Sequence, residues 1–448
     1  MKPTFPKTNV CGSVPNEIWM KIIGYLKCED IFLGFGRVCK RFNDLTHDPT
    51  AIKSFELLKD YSILSTPGTH EVLKILQRSK SLKRIVINSR NAPHDLLIEE
   101  ALLSNPQLKS VTLTSTWIKK NSCSKIVEYL TKAKRIEHLE IQNHYHGYEP
   151  FDDKLLMKIA SIKNLKSLKI NLRKVIQADF IKKISMNCIN LETLELNNFT
   201  LDNPDGVQIA FNKLFKERKE TLKSFILLHS THMYNNQNMN ILQYLRLCQN
   251  LEELSVESND YVLKQLPAIA KMRNIKRLMF TNDDNFERFE SLIKAFNEAK
   301  LPLLERLCIE GVEQSGEIIG QNKLFSDASL KSLLKKSPCL KSIHLLGISF
   351  EHDIWNISNK LLFQIIRDSN VYINFGKVKI GYDYKAGVVL SAQDKKQIRQ
   401  LSLERYLLDH DVSVFNKYQK MKDEFSVWFN ERSNWHSFDC MNELHKEN

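Results

Sequence analysis

The residues most able to do chemistry in this chain are its nine cysteines, and their spacing forms neither a metal-binding nor a redox pair. No CxxC pair occurs, whereas zinc sites need ligands that converge in pairs at short spacing. Cys188, Cys248 and Cys308 recur at intervals of 60 residues, which indicates a structural repeat. Free and mostly buried thiols fit a reducing compartment, so we expect a cytoplasmic or nuclear protein.

No other set of residues predicts catalysis. His144 and His146 flank a tyrosine without a third ligand in view, so we predict no metal site. The sequence has no GxxxxGK(S/T) loop, no GxSxG elbow and no HExxH pair. A transferring ligase would need a dedicated catalytic cysteine. Packing explains five of the nine cysteines, and Cys11, Cys28, Cys123 and Cys440 are without that explanation. We predict a protein that is not an enzyme and binds no cofactor.

The composition is that of a globular chain with a surplus of positive charge. Hydrophobic residues make up 42% and charged residues 26% of its 448 residues, and the net charge is +13. The basic residues are spread along the sequence, which favours a solvated surface over a nucleic-acid groove. The N-terminus has no apolar segment of the secretory type, and no run of about 18 apolar residues occurs, so we expect no membrane partner.

A leucine pattern organises most of the chain. The template L-x-x-L-x-L, with Ile, Val or Phe allowed, recurs at intervals of 24 to 36 residues. Its copies begin at Leu82, Leu108, Ile136, Leu165, Leu191, Leu222, Leu251, Ile275, Leu304 and Leu340, with a weaker copy at Phe375. The end of each copy alternates apolar and polar residues, which predicts a short strand, and the stretch before it has helical spacing. One such unit is too small to bury its own apolar stripe, so the units must stack.

These repeats resemble a leucine-rich repeat array over about residues 68–381, and segments such as 325–340 resemble its cysteine-containing subtype. The fold class that this implies is α/β. A small helical segment would precede a solenoid with parallel strands on the concave side and helices on the convex side.

Residues 13–58 have a different pattern. Pro15 is suited to open a helix, in which Ile18, Ile22 and Leu26 fall on one face at i, i+4 and i+8. A second helical stripe follows at Ile31, Phe35, Val38, Phe42 and Leu45. About 45 residues bury little surface alone, so a partner that covers the apolar face would explain the excess of apolar residues.

This segment resembles an F-box. The matching motifs are Val14-Pro15, Glu17-Ile18, Ile22-Ile23-Gly24-Tyr25-Leu26, Asp30-Ile31 and Val38-Cys39-Lys40-Arg41-Phe42. The resemblance implies docking onto a Skp adaptor, which links to a cullin in an SCF-type ubiquitin ligase. The residues that would form or support this contact are Val14, Pro15, Ile18, Ile23, Leu26, Val38, Cys39 and Phe42.

A second candidate surface follows from strand alternation. In the leucine-rich repeats that this pattern resembles, the residues that flank the middle Leu of each strand point to the concave side, because strand side chains alternate. They mix acids, bases and apolar residues, which suits protein recognition better than a nucleic-acid groove. Ile226 and Leu228 are the sharpest candidates for binding anchors. The full set of target-binding candidates is Arg84, His138, Lys169, Ile226, Leu228, Arg277, Met279 and Arg306.

The predicted organisation is a flexible N-terminus (1–12), an F-box (13–58), about eleven repeats (59–381) and a helical C-terminal cap or tail (382–448). In the last part, Val412, Phe415, Tyr418, Met421, Phe425 and Trp428 form an amphipathic helix. It would cap the repeats or bind a partner. The predicted function is the substrate receptor of an SCF ligase, in the ubiquitin conjugation pathway. The alternatives are a protein-binding repeat scaffold without a ligase role, or a basic nucleic-acid-binding solenoid.

Overall fold

The structure is a computed structural model. It describes residues 14–24, 26, 36–46, 48, 52–57, 66–88, 94–114, 120–142, 151–229, 242–258, 266–269, 271–282, 301–311, 325–346, 355–356, 359–369, 371–374, 413–414 and 416–422. The chain divides into two compact units. The first unit comprises residues 1–170 and 187–189, and the second comprises 171–186 and 190–448.

The first unit begins with three short helices and continues as alternating strands and helices. Its elements are α1 (Asn16–Ile23), α2 (Gly36–Val38), α3 (Lys40–Thr46), β1 (Ser54–Leu57), α4 (Thr66–Arg78), β2 (Arg84–Ile87), α5 (His94–Ser104), β3 (Ser110–Thr114), α6 (Lys120–Lys132), β4 (His138–Gln142) and α7 (Asp153–Ile159). Strands β1 to β4 pair in parallel in the order of the sequence. Strand β5 (Ser167–Ile176) has residues in both units.

The second unit repeats the same strand–helix alternation. Its elements are α8 (Ala178–Asn187), β6 (Thr193–Leu201), α9 (Pro204–Glu217), β7 (Ser224–His229), α10 (Leu242–Leu245), β8 (Glu253–Ser258), α11 (Leu266–Ile269), β9 (Arg277–Asn282), β10 (Arg306–Gly311), β11 (Phe325–Ser326), α12 (Asp327–Lys336), β12 (Ser342–Leu346), β13 (Trp355–Asn356), α13 (Asn359–Asp368) and β14 (Tyr372–Asn374). Strands β6, β7, β8, β9, β10, β12 and β14 pair in parallel in that order, while β11 and β13 form a separate pair.

The predicted α/β class is confirmed, because each unit is a series of parallel strands with intervening helices. The ten full template copies each place a strand on their last four residues. In the sixth copy, for example, Leu222, Phe225 and Leu227 are at most 1% exposed. Parallel strands in sequence order need crossovers of one hand, which put the helices of a unit on the same sheet face. The template residues point to that face and form the core with Phe211 and Phe215, whose rings lie 5.7 and 5.0 Å from Phe225.

The repeat series begins earlier than the leucine pattern suggested. Strand β1 lies within the range assigned to the helical segment, yet it pairs with β2 over its whole length. Ile52, Phe55 and Leu57, all at most 4% exposed, carry the template spacing. The weak copy at Phe375 lies outside the described residues. The last described strand, β14, places Ile373 opposite Ile343 of the preceding strand.

Side-chain amides hold the turns that lead into the strands. Asn164, Asn250 and Asn274 each directly precede the first residue of a template copy. Each donates from Nδ2 to a turn carbonyl one repeat earlier: Asn250 to Glu220 at 2.8 Å, Asn274 to Gln249 at 2.7 Å, and Asn164 to Lys134. These bonds satisfy carbonyls that neither strand nor helix pairing reaches. Cys188 and Cys248 lie in the equivalent turns, 3.5 and 3.7 Å from carbonyls of the preceding repeat.

The C-terminal helical residues 416–422 pack on the last strand. Val414, Tyr418 and Met421, at helical spacings of four and three, are at most 7% exposed. The Tyr418 hydroxyl donates to the Ile373 carbonyl at 3.1 Å, and its ring lies 5.4 Å from that of Tyr372. The other predicted apolar positions of this helix, Val412, Phe415, Phe425 and Trp428, lie outside the described residues. In the described part of the chain, no helix has the length and apolar character needed to cross a membrane.

Candidate docking surfaces

Helices α1 and α3 are joined by one arginine and one aromatic pair. Arg41 of α3 donates from Nε to Asn16 Oδ1 at 2.9 Å and from Nη2 to the Val14 carbonyl at 2.8 Å. Trp19 meets Phe42 edge to face, with ring centroids 4.5 Å apart. These contacts fix which face of α1 is turned inward, because Trp19 must face α3.

A solvent-exposed face of α1, next to the face that Trp19 and Ile23 turn inward, carries apolar side chains. Ile18 and Ile22, one helical turn apart, are 43% and 38% exposed, and Val38 after the break is 63% exposed. Ile23, on the inward face, is completely buried. A pair of large aliphatic side chains exposed on one small helix is costly in water, at about 25 cal/mol per Å² of apolar surface. This face of α1 is therefore a candidate for contact with a partner.

The eight predicted adaptor-binding residues divide between these two faces. Pro15, Ile18 and Val38 are exposed, whereas Ile23 and Phe42 are buried as bundle core. Val14, Leu26 and Cys39 are partly exposed. The prediction did not include Ile22, although its place in the i, i+4 stripe could have found it. It also omitted Arg41, whose role depends on a contact across 25 residues.

The second candidate surface is the face of the sheet opposite the helices, which is called the outer face. Strand pairing aligns the middle outer position of successive strands in one row: Glu195, Ile226, Ser255, Met279, Cys308 and His344 in the second unit. All six are at most 4% exposed. The interval of 60 residues between Cys188, Cys248 and Cys308 does not mark equivalent positions. Cys308 lies in this row, whereas Cys188 and Cys248 lie in turns.

The predicted target-binding residues differ in accessibility. Arg84 and His138 are exposed, and Arg84 pairs with Glu56 at 3.1 Å. Lys169, Arg277 and Arg306 are partly exposed, with Arg277 3.7 Å from Glu253. The three apolar candidates were expected to be accessible anchors, but they are buried: Ile226, Leu228 and Met279 are 1%, 6% and 3% exposed. Alternation gives the face to which a side chain points, but it does not give what packs over that face. Target contact by any of the eight stays a prediction.

Ionisable groups in the repeats have pKa values set by their surroundings. Burial, with a smaller contribution from Arg306, lowers the pKa of His344 to about 3. Hydrogen bonds from Lys109 and Lys166 lower the pKa of Glu137 to about 2. Burial raises the pKa of the Cys123 and Cys248 thiols to about 12, which keeps both protonated and poorly nucleophilic.

No metal-binding group stands out in the described part of the chain, where no three His, Cys, Asp or Glu side chains are grouped to hold an ion. His144 and His146 lie outside the described residues, as do Cys11, Cys28 and Cys440. Cys339 is the exposed thiol among the described cysteines, and Cys39 is partly exposed.

One comparison with known proteins concerns the N-terminal segment. Residues 11–54 match the F-box-like family model. This range contains the exposed Ile18, Ile22 and Val38 and the buried Ile23 and Phe42. The chain therefore carries an F-box-like segment ahead of its leucine-patterned repeats. No curated protein matches the sequence.

Three solved structures show a distant likeness. A chain of the yeast Rad7–Elc1 complex is 14% identical, with 78% of this chain and 89% of that chain covered and a TM-score of 0.45. The leucine-rich repeat-containing protein LegL7 from Legionella pneumophila is 13% identical, with 73% and 99% covered and a TM-score of 0.37. The TLR13–ssRNA13 complex is 14% identical, with 68% and 44% covered and a TM-score of 0.31. At these TM-scores none of the three defines the fold or the function of this chain.

Proposed function

We propose that this chain is the substrate receptor of an SCF-type ubiquitin ligase. The F-box-like segment docks on a Skp adaptor, which joins it to a cullin, and the repeats hold a target protein. The chain performs no chemistry of its own. It acts in the cytoplasm, the nucleus or both.

One observation carries the proposal: the segment that matches the F-box-like family turns Ile18 and Ile22 outward while Trp19, Ile23 and Phe42 form its core. Single exposed aliphatic residues are common on protein surfaces, but here two of them lie one helical turn apart within the matched segment. The outward pair supports a contact with another protein, in which a few large side chains usually supply most of the binding energy.

The mechanism that follows is proximity. A target held on the repeats is kept near a ubiquitin-charged enzyme that other subunits supply, so that transfer to a target lysine becomes effectively intramolecular. The partly exposed and exposed charges of the outer face, such as Arg84, His138 and Lys169, are the proposed target contacts. They are accessible, whereas Ile226, Leu228 and Met279 on that face are buried.

Co-purification tests this function. The tagged full-length chain is expressed with a Skp adaptor and a cullin, alongside a variant with Ile18→Asp and Ile22→Asp. The wild type should retain both subunits and the variant neither, while proteins bound to the repeats should remain on both. Those shared proteins, identified by mass spectrometry, are the candidate targets.

A different result would separate the alternative functions. If the wild type retains its bound proteins but no adaptor, the chain is a repeat scaffold without a ligase role. If both chains retain the adaptor equally, the outward face of α1 is not the docking surface.

A further inference from the structure

The first unit has a concentration of unpaired positive charge at the edge where its strands begin. One residue lies between the first residue of each template copy and the start of its strand. These residues form backbone hydrogen bonds from one repeat to the next along the sheet. The Lys83 amide donates to the Lys53 carbonyl at 2.8 Å, and Lys109, Glu137 and Lys166 continue the row in the same way. The row therefore reads Lys, Lys, Lys, Glu, Lys on neighbouring strands.

The second unit has a balanced version of the same row. There the equivalent residues are Glu192, Lys223, Glu252, Lys276, Glu305 and Lys341, again joined by backbone hydrogen bonds. Their charges alternate, and ion pairs of 2.8, 3.1 and 3.0 Å join successive members in pairs. Like charges directly opposite on neighbouring strands are destabilising, and opposite charges are stabilising. The alternation is thus what strand stability favours, and the first unit departs from it.

The turns of the first unit add to the surplus. The four stretches 78–83, 105–109, 132–137 and 162–166 contain a single acidic residue, Glu137. That carboxylate already binds Lys109 at 2.5 Å and Lys166 at 2.8 Å. Outside the helices, six exposed basic residues at this edge have no ion pair with any residue the structure describes. They are Lys53, Lys80, Lys83, Lys134, Arg135 and Lys163, and are called the basic rim.

Helix termini do not account for the basic rim. A helix C-terminus favours a positive charge, but the effect fades beyond the last turn. Arg78 and Lys132 occupy those last turns in α4 and α6. Lys80 and Lys134 lie beyond them, and Lys163 follows the end of α7 by four residues. The turns of the second unit also carry exposed basic residues, among them Arg246, Lys271 and Arg273, but these lie beside a row whose charges alternate.

We propose that the basic rim binds an acidic polypeptide segment, rich in Asp and Glu or phosphorylated. Charges on neighbouring repeats are set about 4.8 Å apart at the strand starts, a spacing that an extended peptide can follow. The four stretches contain no Phe, Tyr or Trp. Single-stranded nucleic acids are usually held by aromatic stacking as well as charge, so the absence of aromatic residues from these stretches favours a peptide. This inference does not rest on adaptor docking.

Fluorescence anisotropy of the full-length chain tests the proposal with three probes of equal charge. The probes are a Glu-rich peptide, a phosphoserine peptide and a DNA oligonucleotide. The rim variant carries Lys80→Glu, Lys134→Glu and Lys163→Glu. Its matched control carries Arg246→Glu, Lys271→Glu and Arg273→Glu, three exposed residues of the second unit without an ion pair to any described residue, with the same change of charge. A third chain carries Lys80→Gln, Lys134→Gln and Lys163→Gln.

The wild type should bind the acidic peptides, and binding should weaken steeply between about 50 and 200 mM salt. The rim variant should lose on the order of tenfold or more in affinity, and the Gln version less, while the control stays within about twofold. Thermal unfolding of all chains should be similar, because the changes are on the surface. The two peptide probes then tell carboxylate from phosphate recognition.

Three results would overturn the proposal. The first is no peptide binding by the wild type at low salt. The second is an equal loss in the rim variant and the control, which would indicate a response to net charge alone. The third is tighter binding of the oligonucleotide than of either peptide, which would assign the basic rim to nucleic acid.

Discussion

The hydroxyl of Tyr418 donates a hydrogen bond to the carbonyl of Ile373 on the last strand of the sheet, across 45 residues of sequence. The Tyr372 amide, one residue earlier, points toward β12, where it bonds the Lys341 carbonyl at 2.8 Å. Because backbone groups alternate in direction along a strand, the Ile373 carbonyl faces away from β12, at the edge of the described sheet. Tyr418 therefore satisfies a group that would otherwise invite pairing with another chain.

Replacing Tyr418 with Phe should lower the free energy of unfolding by about 1 kcal/mol, since it leaves the Ile373 carbonyl without its partner. Replacement with Ala should cost more, about 3 kcal/mol, because a completely buried ring is lost. Urea unfolding measures both. Tyr244→Phe is the control, as this tyrosine is partly exposed in the second unit and should change stability by less than about 0.5 kcal/mol. Equal effects of Tyr418→Phe and Tyr244→Phe would contradict the capping role.

His344 should make the chain less stable in mild acid. Its pKa is about 3 in the folded chain against 6.5 for the free side chain. The unfolded chain therefore binds the proton more tightly, and stability falls as the pH drops from about 6.5 towards 3. The slope contributed by this group approaches about 1.4 kcal/mol per pH unit. His344→Asn should remove that slope, while His138→Asn, at an exposed position on β4, should leave it unchanged.

Urea unfolding of these three chains at a series of pH values from neutral to mildly acidic checks the prediction. The wild type and His138→Asn should lose stability in parallel, and the His344→Asn curve should be flatter. If all three curves run parallel, His344 does not remain neutral in the folded chain.

The cysteines should differ in reactivity according to burial. Cys123 and Cys248, with pKa values near 12, should resist alkylation in the native chain, as should the buried Cys188 and Cys308. Exposed Cys339 should react first among the six cysteines that the structure describes. Peptide mass spectrometry after a short iodoacetamide pulse measures each site, with the same pulse in denaturant as the reference. Native labelling of Cys123 or Cys248 as fast as Cys339 would show that these repeats open readily.

Much of the repeat architecture could be predicted from the sequence because it depends on local periodicity. The template residues place every strand from β2 to β10, and β12, since burial of one strand face requires that alternation. Strand β1 was missed only because Ile52, Phe55 and Leu57 stand inside a stretch dominated by helical spacing. The helical bundle of α1 to α3 was likewise visible in its two apolar stripes.

The accessible surfaces could not be predicted in the same way. The choice between Ile18 and Ile23 as the outward residue depends on the contact of Trp19 with Phe42, which joins separate helices. Burial of Ile226 and Met279 depends on what packs over their sheet face. The basic rim was also hidden, because lysines dispersed at intervals of about one repeat look unclustered until the strands align them.

The measurement that tests the central claim most directly is the affinity of the purified full-length chain for a purified Skp adaptor, by isothermal titration calorimetry. Ile18→Asp with Ile22→Asp should weaken binding by about a hundredfold or more, because two apolar side chains central to the contact become charged. Ile209→Asp, on α9 and 64% exposed, is the matched control and should bind like the wild type. A wild-type chain with no measurable affinity, or a double variant that binds as well as the control, would contradict the account.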